Sequence, residues 1–88
     1  MEQYKPYRIV QASYEGDLNA LSLSLDCQMI AVADESGEVK IFGFDDGKIM
    51  YLSSGHSSPV TSVQISPDAK IVISGDTTGS VIIWRIKH

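Results

Sequence analysis

The sequence predicts an all-β protein made of two successive antiparallel sheets of similar sequence. First, the chain matches itself when it is shifted by 42 residues, and an internal repeat decides the architecture before other features are considered. Second, apolar residues either alternate with polar ones or form short unbroken runs, which are the two patterns of strands. Third, glycine, proline and aspartate separate those runs. No segment has helical periodicity, so we expect no helix longer than a single turn.

The repeat covers most of the chain. Segment 21–42 (LSLSLDCQMIAVADESGEVKIF) aligns with segment 63–84 (VQISPDAKIVISGDTTGSVIIW). Upstream, Gly16-Asp17 is matched with Gly55-His56, which makes the connecting loop three residues shorter in the first copy. The chain is therefore divided into an N-terminal segment (1–13), a first repeat (14–53) and a second repeat (54–88).

Four strands are predicted within the first repeat, and one precedes it. Tyr7–Ala12 predicts an outer strand ahead of the repeat. Leu21–Leu25 alternates with serines and predicts a first strand, whereas the apolar run Met29–Ala33 predicts a strand buried on both faces. Val39–Ile41 predicts the third strand. Ile49–Leu52 predicts the fourth, which follows a glycine-containing turn.

In the second repeat the pattern predicts only three strands. Val63–Ile65 alternates, Ile71–Ile73 is a continuous apolar run of the type buried on both faces, and Val81–Ile83 follows a Thr78-Gly79 turn. The sequence ends at Lys87-His88 without an outer strand for this repeat.

Composition argues against several classes of function. The net charge is −4 and the basic residues are scattered, so nucleic acid is not an expected partner. No apolar stretch approaches the ~18 residues of a membrane span, and the N-terminus lacks the apolar part of a signal peptide. The single cysteine, Cys27, indicates a reducing, cytoplasmic environment.

We find no catalytic, cofactor-binding or metal-binding motif. His56 lies beside Ser57 and Ser58, but a zinc site needs three or four ligands and the second histidine is the terminal His88. No GxSxG turn surrounds the serines, and segment 75–80 lacks the Gly-Lys-Ser/Thr ending of a phosphate loop. We therefore expect His56 to form structural hydrogen bonds and the chain not to be an enzyme.

Segment 55–85, GHSSPVTSVQISPDAKIVISGDTTGSVIIWR, resembles a WD40 repeat along nearly its whole length. It has the Gly-His pair, the SPVTSV strand, the SPD turn, the SGD segment and the terminal tryptophan. A period in the low forties also fits this family. The resemblance implies two four-stranded antiparallel WD40 blades that form part of a β-propeller.

The family's hydrogen-bonded tetrad can be carried over to the second repeat one position at a time. The resemblance assigns its histidine to His56, its hydroxyl to Ser74 and its indole to Trp84. The position of the aspartate, six residues before the tryptophan, is Thr78, and Asp76 lies two residues too early. We therefore expect the histidine–aspartate hydrogen bond to be missing.

In the first repeat the same four positions hold Asp17, Val32, Ser36 and Phe42. No polar tetrad can form from these residues. This repeat is expected to depend on packing alone, with Phe42 filling the tryptophan site, and to be the less rigid one.

Two blades are fewer than the four to eight of a complete propeller. The chain is expected to be a piece of a longer propeller or to complete one by association. The segment around Tyr7–Ala12 could supply the missing strand of a neighbouring copy's last blade, and three or four copies would then form six or eight blades. Further blades on a separate polypeptide are the alternative.

The expected function is a protein-interaction scaffold, or the closely related role of a permanent structural component. Loops that precede the first strands offer candidate partner contacts: Asp17, Asn19, Ser57, Ser58 and Thr61. A narrower resemblance is to a group of cilia- and flagella-associated WD-repeat proteins, over GDLNALSLSLD, GEVKIFGFDDGKIMYLSSGHSSPVTSVQISPD and VIIWRIKH. That resemblance implies an axonemal location, contact with tubulin, and a natural C-terminus at His88.

Overall fold

The computed structural model describes residues 9–12 and 16–86. They contain seven strands and, within these ranges, no helix. The strands are β1 (Leu18–Leu23), β2 (Met29–Asp34), β3 (Glu38–Gly43), β4 (Ile49–Ser54), β5 (Val60–Ile65), β6 (Ile71–Asp76) and β7 (Val81–Arg85).

The strands form two antiparallel sheets in which neighbours along the chain are neighbours in space. The first sheet has the order β1-β2-β3-β4 and the second has the order β5-β6-β7. The all-β, two-sheet prediction is confirmed. In the described part of the chain the second sheet has the three strands that the pattern predicts, and not the four that the resemblance implies. The outer strand predicted at Tyr7–Ala12 is not seen at residues 9–12, which are not paired in a sheet, and its first two residues lie outside the described ranges.

The turn between the first two strands of each sheet shows how closely the two copies agree. Ser24 Oγ donates to Asp26 Oδ1 at 2.6 Å, and Ser66 Oγ donates to Asp68 Oδ1 at 2.6 Å. The next residue has positive φ in both turns, 61° at Cys27 and 60° at Ala69. Residues other than glycine rarely adopt this backbone conformation. The same unusual backbone is therefore used at equivalent positions of both repeats.

The two sheets pack face to face through β5, which lies against β1 and β2. Small side chains of β2, among them Ala31 and Ala33, form the first sheet's half of the interface, and both are fully buried. Val60 and Val72 from the second sheet are fully buried against them. Because apolar area removed from water contributes ~25 cal/mol per Å², this interface is where the chain gains most of its cohesion.

The opposite face of the second sheet is open. Ile73 pairs with Ile83 and Gly75 pairs with Val81, and side chains on one face alternate along each strand. Ile73 is 47% exposed, Val81 66% and Ile83 68%. The prediction that Ile71–Ile73 is buried on both faces is therefore wrong for Ile73, because no further sheet covers its side among the described residues.

In the described residues, no helix is long and apolar enough to cross a membrane.

Candidate functional site

The polar centre of the second sheet is a chain of hydrogen bonds on its buried face. Trp84 Nε1 donates to Ser74 Oγ at 2.8 Å. Ser74 Oγ lies 2.7 Å from His56 Nε2, and His56 Nδ1 lies 2.8 Å from Asp76 Oδ2. The residues come from β6, from β7 and from the loop before β5, so the network joins two strands of the sheet to that loop.

Chemistry fixes the direction of these bonds. An ionised carboxylate can only accept a hydrogen bond, so His56 Nδ1–H donates to Asp76. In the neutral imidazole the other nitrogen is then an acceptor, and Ser74 O–H donates to it. Donation therefore runs from Trp84 through Ser74 and His56 to Asp76, with every side chain satisfied.

Asp76, and not Thr78, holds the carboxylate position. The expectation that Asp76 lies too early to meet His56 is wrong, because the β6–β7 turn folds around its side chain. Thr78 N and Oγ1 donate to Asp76 Oδ1 at 2.9 and 2.7 Å, and Ser80 N donates at 3.0 Å. The Thr78 hydroxyl and the His56 imidazole hold the pKa of Asp76 far below its usual range, although desolvation opposes them.

The first sheet has an equivalent turn whose carboxylate faces a lysine in place of the histidine. Asp34 is fully buried, and its Oδ1 accepts from Ser36 N at 3.0 Å and from Glu38 N at 3.4 Å. Its Oδ2 receives no hydrogen bond among the described residues, but Lys40 Nζ lies 3.3 Å away. Burial raises the pKa of Asp34, and the Ser36 hydroxyl and the Lys40 ammonium outweigh it and lower the pKa overall.

The expectation that the first repeat depends on packing alone is therefore wrong. Lys40 also donates from Nζ to the Ala12 carbonyl oxygen at 2.9 Å. Val32 and Phe42, which replace the serine and tryptophan, are buried with Ala12 in a small separate cluster. The first repeat thus combines an ion pair with apolar packing.

Backbone register also corrects the assignment of Asp17 to the histidine position. Glu35 N donates to Asp17 O at 3.1 Å, and Thr77 N donates to Pro59 O at 3.1 Å. Since Glu35 and Thr77 are repeat equivalents, Asp17 corresponds to Pro59. At the same shift of 42 residues the position equivalent to His56 is residue 14, which lies outside the described residues.

The five candidate contact residues differ in what they do. Asn19 Nδ2 donates to Val60 O at 2.8 Å, so this side chain joins the two sheets instead of being free for a partner. Thr61 Oγ1 donates weakly to Gly75 O at 3.3 Å and is exposed. Ser57 and Asp17 are exposed, whereas Ser58 Oγ is buried and has no hydrogen-bond partner in the described part of the chain.

Chemically, this arrangement supports structure and surface contact. No group of three or more His, Cys, Asp or Glu side chains in the described ranges could hold a metal ion. A cleft of about 210 Å³ lies on the outer face of the first sheet and is lined mainly by apolar side chains, namely Val10, Ala12, Leu18, Leu21, Ile30, Val32 and Phe42.

The two short antiparallel sheets are copies of the same repeating unit. They stack face to face, and each has a polar network at the equivalent turn. Sheets arranged in this way are consecutive blades of a β-propeller. Residues 45–85 match the family model described as "WD domain, G-beta repeat". Residues 45–85 are therefore a WD40 repeat, and the relatives that match most of the chain support a fragment of a WD40-repeat protein.

The similar proteins have varied names. Cilia- and flagella-associated protein 52 of Chlamydomonas reinhardtii is 30% identical over 77 residues, covering 88% of this chain and 12% of that protein. Transcription initiation factor TFIID subunit 5 of Caenorhabditis elegans is 25% identical over 87 residues, covering 99% of this chain and 13% of that protein. The chain thus spans about an eighth of these curated relatives.

The same fold occurs in the solved structure titled "Structure of U3-55K". It superposes with a TM-score of 0.81 at 24% identity, covering 88% of this chain and 25% of that chain. At this identity the likeness shows the fold alone.

Proposed function

We propose that the chain contributes two blades, residues 14–53 and 54–88 with the preceding segment 1–13, to a WD40 propeller that is a non-catalytic scaffold for protein interactions. One observation carries the proposal: the buried polar side chains of the second sheet are hydrogen-bonded to one another and stabilise the blade. His56 and Asp76 bond to each other and to neighbours, and they are buried, at 8% and 9% exposure, so a substrate has no access to either side chain.

Contact with other proteins then falls to the exposed loops at one end of the strands. Ser57 and Asp17 lie there on neighbouring blades, with Thr61 at the start of β5. Loops positioned by a rigid scaffold are the usual place for binding residues.

A site-specific photo-crosslinker tests this assignment. With the crosslinker at Ser57 we expect discrete protein adducts in cells, and with the crosslinker at Cys27, in the turn at the other end of the strands, we expect none. Both positions are exposed, so a crosslinker at either one can reach a partner. Adducts at Cys27 but not at Ser57 would overturn the assignment of the contact surface. A reaction that the Asp76→Asn variant loses, while circular dichroism shows this variant to be folded, would overturn the non-catalytic role.

A second candidate is a structural role in the axoneme with tubulin as partner. The name of the relative that is 30% identical, a cilia- and flagella-associated protein, favours this candidate. Co-sedimentation with purified microtubules tests it: we expect the chain to pellet with them and Ser57→Glu to weaken this. Gln28→Glu adds the same charge at the other end of the strands and serves as the control. A chain that stays in the supernatant contradicts the candidate.

A further inference from the structure

We infer that the open face of the second sheet is a docking surface for a second copy of this chain, which seats the outer face of its first sheet there, head to tail. The inference rests on the proposed propeller function and adds the partner and the contact residues. The pattern for this contact is the interface already present between the two sheets of one chain.

In the first sheet, the face equivalent to this open face is covered by the second sheet. Ile73 corresponds to the buried Ala31, Val81 to Val39 and Ile83 to Ile41 at the shift of 42 residues. Val39 and Ile41 are 2% and 5% exposed, whereas Val81 and Ile83 are 66% and 68% exposed. The exposed residues are also apolar, which is the chemistry that the contact between sheets requires.

Two glycines show the same relationship at the turns. A Cβ added at Gly37 would lie 2.6 Å from His56 O and 3.2 Å from Ser58 O, because the loop of the following blade lies against this turn. Gly79 has the same backbone, with φ of 89° against 87°, yet a Cβ there would meet nothing within 4 Å. The β6–β7 turn thus has the shape that accepts a neighbouring loop.

The polar contacts across the existing interface have equivalents on the open face. Asn19 Nδ2 donates to Val60 O at 2.8 Å, and Ser22 Oγ accepts from Ile65 N at 3.3 Å. The equivalent positions hold Thr61, an exposed hydroxyl, and Gln64, an exposed amide. Gln64 can accept the corresponding bond, and Thr61 can donate one if its O–H turns away from Gly75 O, with which it makes a long bond of 3.3 Å.

The complementary surface lies on the outer face of the first sheet. Leu21 and Leu23 are 67% and 48% exposed there, and they are the equivalents of Val63 and Ile65, which face the first sheet within one chain. Residues 10 and 12 lie on the same face against Phe42. At the shift of 42 residues these two residues correspond to Leu52 and Ser54 of β4, which pairs with β3. Since β7 is the equivalent of β3, residues 10 and 12 of a docked copy would lie along the open edge of β7 of the other copy.

The contact is heterologous, since the two surfaces differ, and such contacts form closed rings or open filaments. Propellers close with about four to eight blades, so a ring built only from copies of these two blades takes two to four copies.

A pair of blocking variants tests the inference. Ile83→Lys places a charge on the open face of the second sheet, and Leu21→Lys places one on the outer face of the first. Leu25→Lys, at a position that is 77% exposed in the β1–β2 turn, adds the same charge outside both faces. Circular dichroism of each variant establishes that it is folded, and light scattering after gel filtration gives its mass.

We expect the native chain and Leu25→Lys to assemble into a closed species of two to four copies, and each blocking variant to be a monomer. The decisive sample is an equimolar mixture of Ile83→Lys and Leu21→Lys, which retains one intact pair of surfaces and should form a dimer and nothing larger. A monomeric native chain, or a mixture that stays monomeric, overturns the inference. If such a monomer still forms the adducts at Ser57, the scaffold function stands without self-association.

Discussion

Lys40 in the first blade replaces an apolar residue of the second and supplies a cation to the buried carboxylate of Asp34. Its Nζ lies 3.3 Å from Asp34 Oδ2, and its repeat equivalent is Ile82. In the second blade the corresponding carboxylate, Asp76, is bonded instead by the imidazole of His56. The two blades thus have the same folded turn, but a lysine contacts its carboxylate in the first blade and a histidine does so in the second.

Lys40→Ile should destabilise the chain. The substitution gives the first blade the isoleucine that the second blade has at Ile82, but not a histidine equivalent to His56 to bond the carboxylate. Removing one partner of a buried ion pair leaves an uncompensated charge, and since Lys40 is partly exposed we expect a loss of about 2 kcal/mol. Urea unfolding measures it. The double variant Lys40→Ile/Asp34→Asn should recover much of the loss, and a double variant as unstable as the single one would contradict the ion-pair explanation.

Acid should weaken the second blade through Asp76. The pKa of this carboxyl is lower in the folded chain than the ordinary value of 3.8, so its contribution to stability is complete above that value and is lost as the pH falls below it. The urea concentration at the unfolding midpoint of the native chain should therefore decrease as the pH falls below about 4.

In the same titration, Asp76→Asn should begin with a lower midpoint at neutral pH and change less in acid. Some acid sensitivity should remain, because Asp34 also has a lowered pKa. Identical pH profiles for the native chain and Asp76→Asn would show that this carboxylate does not contribute in the way described.

Gly37→Ala and Gly79→Ala separate backbone strain from contact between blades. Both glycines have positive φ, so either substitution should cost about 1 kcal/mol of strain. Gly37→Ala should cost clearly more, because its Cβ would lie 2.6 Å from the His56 carbonyl oxygen. The comparison uses urea unfolding in the Ile83→Lys background, which keeps the chain monomeric. Equal losses would contradict the observed seating of the loop against Gly37.

Sequence reasoning succeeded where a periodic pattern carried the information. The repeat shift and the alternation of Leu21–Leu25 were enough to predict sheets, and the apolar run Met29–Ala33 correctly predicted a strand buried on both faces. The same type of run at Ile71–Ile73 failed, because burial on the second face depends on a neighbour that the pattern cannot reveal.

The polar network was harder to predict because it depends on how turns fold. Counting residues back from Trp84 placed the carboxylate at Thr78, whereas a turn that wraps around the Asp76 side chain brings Asp76 to His56. The role of Lys40 was missed entirely. Its signal was present, since a lysine at an apolar position of the repeat indicates a buried partner, and Asp34 is conspicuous as a carboxylate at the end of a buried strand.

The tautomer of His56 tests the central claim most directly, because the blade is held by donation that runs from Trp84 through Ser74 and His56 to Asp76. Nitrogen-15 NMR of the imidazole at neutral pH reports which nitrogen carries the proton. We predict a proton on Nδ1, a Nε2 that is an acceptor, and a Trp84 indole N–H that exchanges slowly with solvent. A proton on Nε2 alone, or a Trp84 N–H that exchanges freely, would contradict the network and with it the account of how this blade is held together.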